Sequence, residues 1–189
     1  MSKQENIVFG GWVQAIGTVL SALGNTPNIP IPSKIKEDFD LIGNVLQATG
    51  NAIQVETITL EDLNSIGNEI QAIGNTTVVA SFLLPVDQTT KEGLDTKGNL
   101  LQALGGAVCF SENWKEKNSR DVLYNGIGNL LQVIGNSLQA LSSQSKTNAT
   151  LINTLGSWIQ AIGAVMTAIG GTMGDEIFIS PNDRSNNYF

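Results

Sequence analysis

Polar and apolar positions recur in this chain with a period of seven, and the stretch at 127–141, IGNLLQVIGNSLQAL, carries two copies of the unit joined without a gap. Taking about 100° per residue from the glycine, Asn falls near 100°, a variable place near 200°, Leu near 300°, Gln near 40° and Ile near 240°. The apolar side chains therefore share one arc. On a two-residue period the same unit would throw Leu and Ile onto opposite faces and reverse them at every heptad, because seven is odd. The pattern predicts helix. Its rival is a glycine-punctuated solenoid of short strands, prompted by the β-branched runs QVETITL at 54–60 and TTVVASFLLPV at 76–86.

The heptad recurs in six units, beginning at Gly10, Gly43, Gly67, Gly98, Gly128 and Gly156. Fourteen of the twenty glycines keep this one phase, so composition alone does not account for them. Six helical segments of about two heptads each are expected, forming an all-α bundle or short helical repeat array. The chain reads as a single domain, 1–189, with a short polar tail from about residue 180. Between the units the composition changes. TPNIPIP at 26–32 cannot be helical, since its three prolines remove donors and restrict the residues before them. The stretches 33–40, 56–62, 87–97, 112–121 and 144–148 carry charges and turn-formers and are expected to separate the helices. Of the 27 charged side chains, only Glu69 lies inside a unit.

A glycine inside a helix costs about 1 kcal/mol relative to alanine, so packing has to offset a whole series of them. Gly17, Gly43, Gly50, Gly67, Gly74, Gly98, Gly105, Gly128, Gly135, Gly156 and Gly163 are accordingly read as contact points where a neighbouring backbone comes close. Beside them runs an uncharged stripe: Asn44, Gln47, Asn68, Gln71, Asn99, Gln102, Asn129, Gln132, Asn136, Gln139 and Gln160. Each carboxamide both donates and accepts, so the stripe can pair with another stripe or stand as a solvated edge. The variable place is mostly apolar, from Trp12 and Val19 to Trp158 and Val165. Helices apolar over so much of their circumference must be covered by one another, by other copies or by lipid. Trp12 and Trp158 hold the same heptad place in the first and last units, as matching terminal helices or as an interfacial anchor.

Charge and composition narrow the function. A net charge of -7 argues against a nucleic-acid partner, which needs a basic face. Charged residues make up 14% of the chain, so something other than charge covers the surface. The chain has no histidine, which removes the commonest general base and metal ligand. No catalytic, cofactor-binding or metal-ligating residue is expected, and no cofactor. The acid pairs Glu37-Asp38, Glu61-Asp62 and Asp175-Glu176 stand at segment ends, where carboxylates suit a helix N-terminus. Cys109, among apolar neighbours in GGAVCF, reads as a buried, inert thiol. The apolar run near the start is too short for a signal peptide, so the expected location is cytoplasmic, with spore or assembly association as a further setting. LGSWIQAIGAVMTAIGGTM at 155–173 carries no charge over 19 residues and approaches a membrane-spanning length.

The GN-x-LQAIGN-x-LQ heptads resemble a group of uncharacterised repetitive proteins of Bacillus-type spore-forming bacteria, over the six units but not the linkers or tail. The resemblance implies a bacterial protein and transfers no activity. Gly11 and Ser157 replace Asn in the first and last units, a divergence typical of capped repeat arrays. These readings point to a non-enzymatic structural protein whose partner is itself, in a homo-oligomer or ordered assembly built through glycine and amide faces. The alternative is a membrane-interacting or pore-forming helical protein.

Overall fold

The computed structural model describes residues 2–55, 61–113, 120–145 and 147–178, and every regular element among them is a helix. Helix α1 (Lys3–Gly24) starts in a capping box: the Ser2 hydroxyl accepts from the Glu5 N–H, and the Glu5 carboxylate accepts from the Ser2 N–H. The proline-rich connector follows it and leads through Pro32 into α2 (Ser33–Gln54). Asp62 caps α3 (Leu63–Leu83) by accepting from the Ser65 N–H, and Asp87 accepts from the Thr90 N–H at the start of α4 (Gln88–Asn113). Helices α5 (Arg120–Ser142) and α6 (Ala149–Phe178) complete the chain order.

These helices outrun the two heptads expected of them. The stretches 33–40 and 88–97, read above as separators, are the opening turns of α2 and α4. Their lysines and glutamates are good helix formers and no proline interrupts them, so the charges mark the ends of helices without stopping them. The β-branched run from 76 lies within α3 as far as Leu83, so no strand solenoid forms there. In the other β-branched stretch, residues 54 and 55 close α2, and 56–60 lie outside the described residues.

Each helix packs against two others in chain order, and α6 returns to α1. The result is a closed six-membered ring built of three antiparallel hairpins, α1 with α2, α3 with α4, and α5 with α6. An open array would have had capped ends; here the first and last units meet. Trp12 Nε1 donates to Thr172 Oγ1 at 3.1 Å and Trp158 Nε1 donates to Thr26 Oγ1 at 3.0 Å. Thr154 Oγ1 donates to the Asn25 carbonyl nearby. The two tryptophans thus fasten α1 and its connector to α6.

Inside each hairpin the contact is backbone against backbone. A Cβ built on Gly17 would lie 2.6 Å from the Gly43 carbonyl oxygen and 2.8 Å from the Gln47 nitrogen. The same approach recurs between Gly10 and Gly50, Gly74 and Gly98, Gly67 and Gly105, Gly135 and Gly156, and Gly128 and Gly163. Between hairpins the spacing is looser and alanine-sized. Gly11 faces Ala168 and Gly106 faces Val133, while Ala15, Ala164 and Ala168 form a small buried cluster. Each helix therefore turns an edge of glycine toward its hairpin partner, and at the α1–α6 and α4–α5 seams small side chains meet the other neighbour, leaving two remaining faces.

Two substitutions separate close approach from helix propensity. Gly17→Ala meets backbone that cannot swing aside and should cost several kcal/mol by denaturant titration, of the order of an overpacked core, about 1–3 kcal/mol or more. Gly93→Ala in α4 has open space around the new methyl and should stabilise by about 1 kcal/mol.

An amide-lined axis as the candidate functional site

The face that each helix turns toward the ring axis is made of carboxamides. Gln47, Gln102, Gln132, Asn51, Asn75 and Asn136 are among the largest fully buried side chains of the protein. They lie in layers. Gln14, Gln71 and Gln132, from α1, α3 and α5, meet where Gln14 Nε2 donates to Gln132 Oε1 at 2.8 Å and to Gln71 Oε1 at 3.5 Å. Gln47, Gln102 and Gln160, from α2, α4 and α6, meet where Gln160 Nε2 donates to Gln47 Oε1 at 2.8 Å and to Gln102 Oε1 at 3.0 Å. Gln139 Nε2 donates in turn to Gln160 Oε1 at 2.8 Å. The Gln14–Gln132 and Gln160–Gln47 bonds join helices that are not neighbours in the ring, so these side chains cross-link the interior. Each such bond is worth about 1 kcal/mol net, and more is lost when a buried partner is orphaned.

The sequence-derived stripe is thus brought together, but inside one molecule. Gln71, Gln102, Gln132, Gln139, Gln160 and Gln47 point inward, and Asn44, Asn99, Asn129 and Asn136 are buried with them. Asn68 sits half-buried beside Cys109 Sγ, itself a buried free thiol. The expectation that amide faces would pair with other copies is corrected by this placement: the donors and acceptors are turned to the axis. Sequence reasoning singled out only the regular heptad amides and passed over Thr18 and Ser21, which are buried at the corresponding places of α1. Not every amide is satisfied. Both amide atoms of Asn51 and of Asn136, and Oδ1 of Asn75, have no hydrogen-bond partner. On the helical wheel the Asn place lies about 60° from the axial Gln, which turns it partly away from the axis.

The opposite face is apolar and open. Phe9 and Ile16 on α1, Ile42 and Val45 on α2, Ile73 on α3, Leu100 and Leu104 on α4, Ile127, Leu130 and Ile134 on α5, and Leu155 and Ile162 on α6 are all exposed. Relative to an ordinary core, this fold is inverted.

At one end the axis opens into a cavity of about 20 Å³ whose lining includes Asn25, Asp40, Asn44, Asp95, Asn99 and Gln102. Asn44 Nδ2 donates to Asp40 Oδ1 at 3.1 Å, and Ser81 Oγ donates to Asp95 Oδ1 at 3.5 Å. Withdrawal from water pushes the Asp40 carboxyl up to about 7, helped by the nearby charge of Asp95 and opposed by hydrogen bonds from Ser21, Asn25 and Asn44. Asp95 keeps more contact with solvent, and desolvation pushes it up to about 6. These two acids fall in the stretches 33–40 and 87–97, and extending the heptad register by one helical turn places them on the axis.

The chain belongs to a family of unknown function (DUF6944), whose model matches residues 5–168 and so takes in most of the ring. No curated protein and no solved structure matches it.

Gln160→Ala removes the donor to two glutamines and the acceptor of a third, and should cost about 2–4 kcal/mol in denaturant titrations. Asn51→Ala removes an amide with no partner and installs the residue that Ala164 supplies at the same heptad place of α6, so its melting temperature should hold or rise. The two raised carboxyls set a pH dependence. Between about 4 and about 7 the native Asp40 still holds a proton that the unfolded chain has released, so stability falls as pH rises through that window. Thermal melts in buffer free of divalent ions should show that slope, and Asp40→Asn should flatten it.

Proposed function

We propose that this is a non-enzymatic structural protein that works embedded in lipid, with its apolar belt against acyl chains and its amide core closing the axis. The observation that carries the reading is the radial inversion: glutamines pair at the centre while leucine and isoleucine face outward on all six helices. A second copy docking on one side would cover only part of such a belt, whereas lipid covers every side at once. The axial glutamines take their hydrogen bonds from one another, which suits a medium that offers none.

Charge and packing support the same reading. The residues 41–54 of α2 and 98–111 of α4 carry no charge, a length of about 21 Å at 1.5 Å per residue, and the uncharged stretches of α1, α5 and α6 are longer. That approaches the roughly 30 Å hydrocarbon thickness. Close glycine contacts are the way helices associate where apolar burial supplies no driving force between them. By mean hydropathy two helices among the described residues, Lys3–Gly24 and Ala149–Met173, are long and apolar enough to span. The inward amides lower that average in every helix without touching the outer face. The absence of histidine and the mutual engagement of the axial polar groups favour a role without catalysis.

A second reading remains attached to the same belt. Charges gathered at the helix ends, with Glu69 of α3 the exception, leave the sides to join copies into a homo-oligomer or layer, through leucine and isoleucine in place of amides. One experiment separates the two. The full chain, purified in mild detergent, should co-float with zwitterionic vesicles at low and high salt alike, and should lose solubility when detergent is removed without lipid. A monodisperse monomer in plain buffer that fails to float would defeat both readings, and ordered layers or filaments formed without lipid would establish the second over the first.

A further inference from the structure

Asp40 and Asp95 stand three residues before heptad glycines, in DLIGN at 40–44 and DTKGN at 95–99. The four other units fill that place with Ile7, Asn64, Asn125 and Asn153, so the fold itself is built without a carboxylate there. Asn153 is satisfied locally: its Nδ2 donates to Asn25 Oδ1 at 2.7 Å. Two acids at one end of the axis, lining the same small cavity, are therefore an addition to the architecture, and one that their mutual repulsion penalises.

The residues one turn further on point to what offsets that cost. Asn99 is only 8% exposed, lines the cavity and has no side-chain hydrogen bond to another of the described residues. Asn44, 6% exposed and also lining the cavity, spends its amide nitrogen on the Asp40 carbonyl and carboxylate and on Ser21 Oγ, and its oxygen accepts from none of the described residues. Two carboxyl and two carboxamide side chains, from matching i and i+4 positions of α2 and α4, thus line one space large enough for a single water or ion.

We infer that this acidic mouth binds one hard divalent cation of calcium size through Asp40, Asp95, Asn44 and Asn99. All four donors are oxygen, with neither imidazole nor thiolate among them, which selects against zinc, copper and nickel. Two carboxylates match a double positive charge, and the neutral carboxamides fill positions that calcium accepts readily in irregular geometry. Among the described residues no three His, Cys, Asp or Glu side chains converge, so the carboxamide oxygens are required for a full donor set. The site stands apart from the lipid reading, because a ring covered by copies of itself would present the same mouth.

The test uses the full chain in detergent, stripped with chelator and titrated with calcium chloride by calorimetry and by thermal melting. Wild type should bind one calcium per chain and gain several degrees in melting temperature. Asp40→Asn combined with Asp95→Asn should abolish both responses, while Glu37→Gln combined with Asp38→Asn, which removes equal charge from the exposed start of α2, should retain them. Asparagine already fills the equivalent place in three other units, so the axial variant is expected to fold; the single Asp95→Asn should show weakened binding in any case. No response in wild type, an unchanged response in the axial variant, or a response to zinc that calcium does not share would overturn the inference.

Discussion

Everything in this ring depends on how closely two helices can approach when no side chain stands between them. At each paired glycine a carbonyl oxygen of one helix occupies the space where a methyl of the other would be. That contact sets the distance within a hairpin and fixes the rotation of both helices about their axes. Once the glycine edge is committed to the partner, the amide arc has to turn inward and the leucine arc outward, because both lie at fixed angles from the glycine. The cost of glycine in a helix is thereby coupled to the arrangement of every other face.

How much of this was legible in the chain follows from what periodicity encodes. The seven-residue phase identified six helices and the residues sharing each face, since a period reports angular relations directly. It does not report which face looks inward. The ordinary bias places leucine and isoleucine in the core, yet Leu100 and Leu104 are exposed while Gln102 between them is almost fully buried. Six helices around one axis leave a centre narrow enough for glutamines to span, and that is a property of the closed ring, absent from any single unit. The charged stretches misled in a related way: Lys34 to Asp40 and Gln88 to Lys97 read as breaks because charge was the contrast, although their residues are competent in helix.

The interior also shows how polar groups can specify a fold. A leucine-lined centre would tolerate sliding between helices, whereas the bonds of Gln160 to Gln47, Gln102 and Gln139 are satisfied in one register. Asn51 and Asn136, which lack partners, show that satisfaction is concentrated at the Gln place. Asp40 and Asp95 continue the same axial column by one turn and give its two ends different character, acid at one and asparagine at positions 64 and 125 of the other.

The return of α6 to α1 has a consequence for how such a molecule could grow. An open stack of helical pairs can gain or lose members at its ends with little effect on the rest. A closed ring has no ends, and its membership is set by the width of its centre. Three hairpins bring glutamines from alternate helices of the ring within 3.0 Å of one another or less. A fourth would widen the circle beyond their reach, and water would enter where amides now meet. The number of repeats here is therefore a geometric quantity, held by the length of a glutamine side chain.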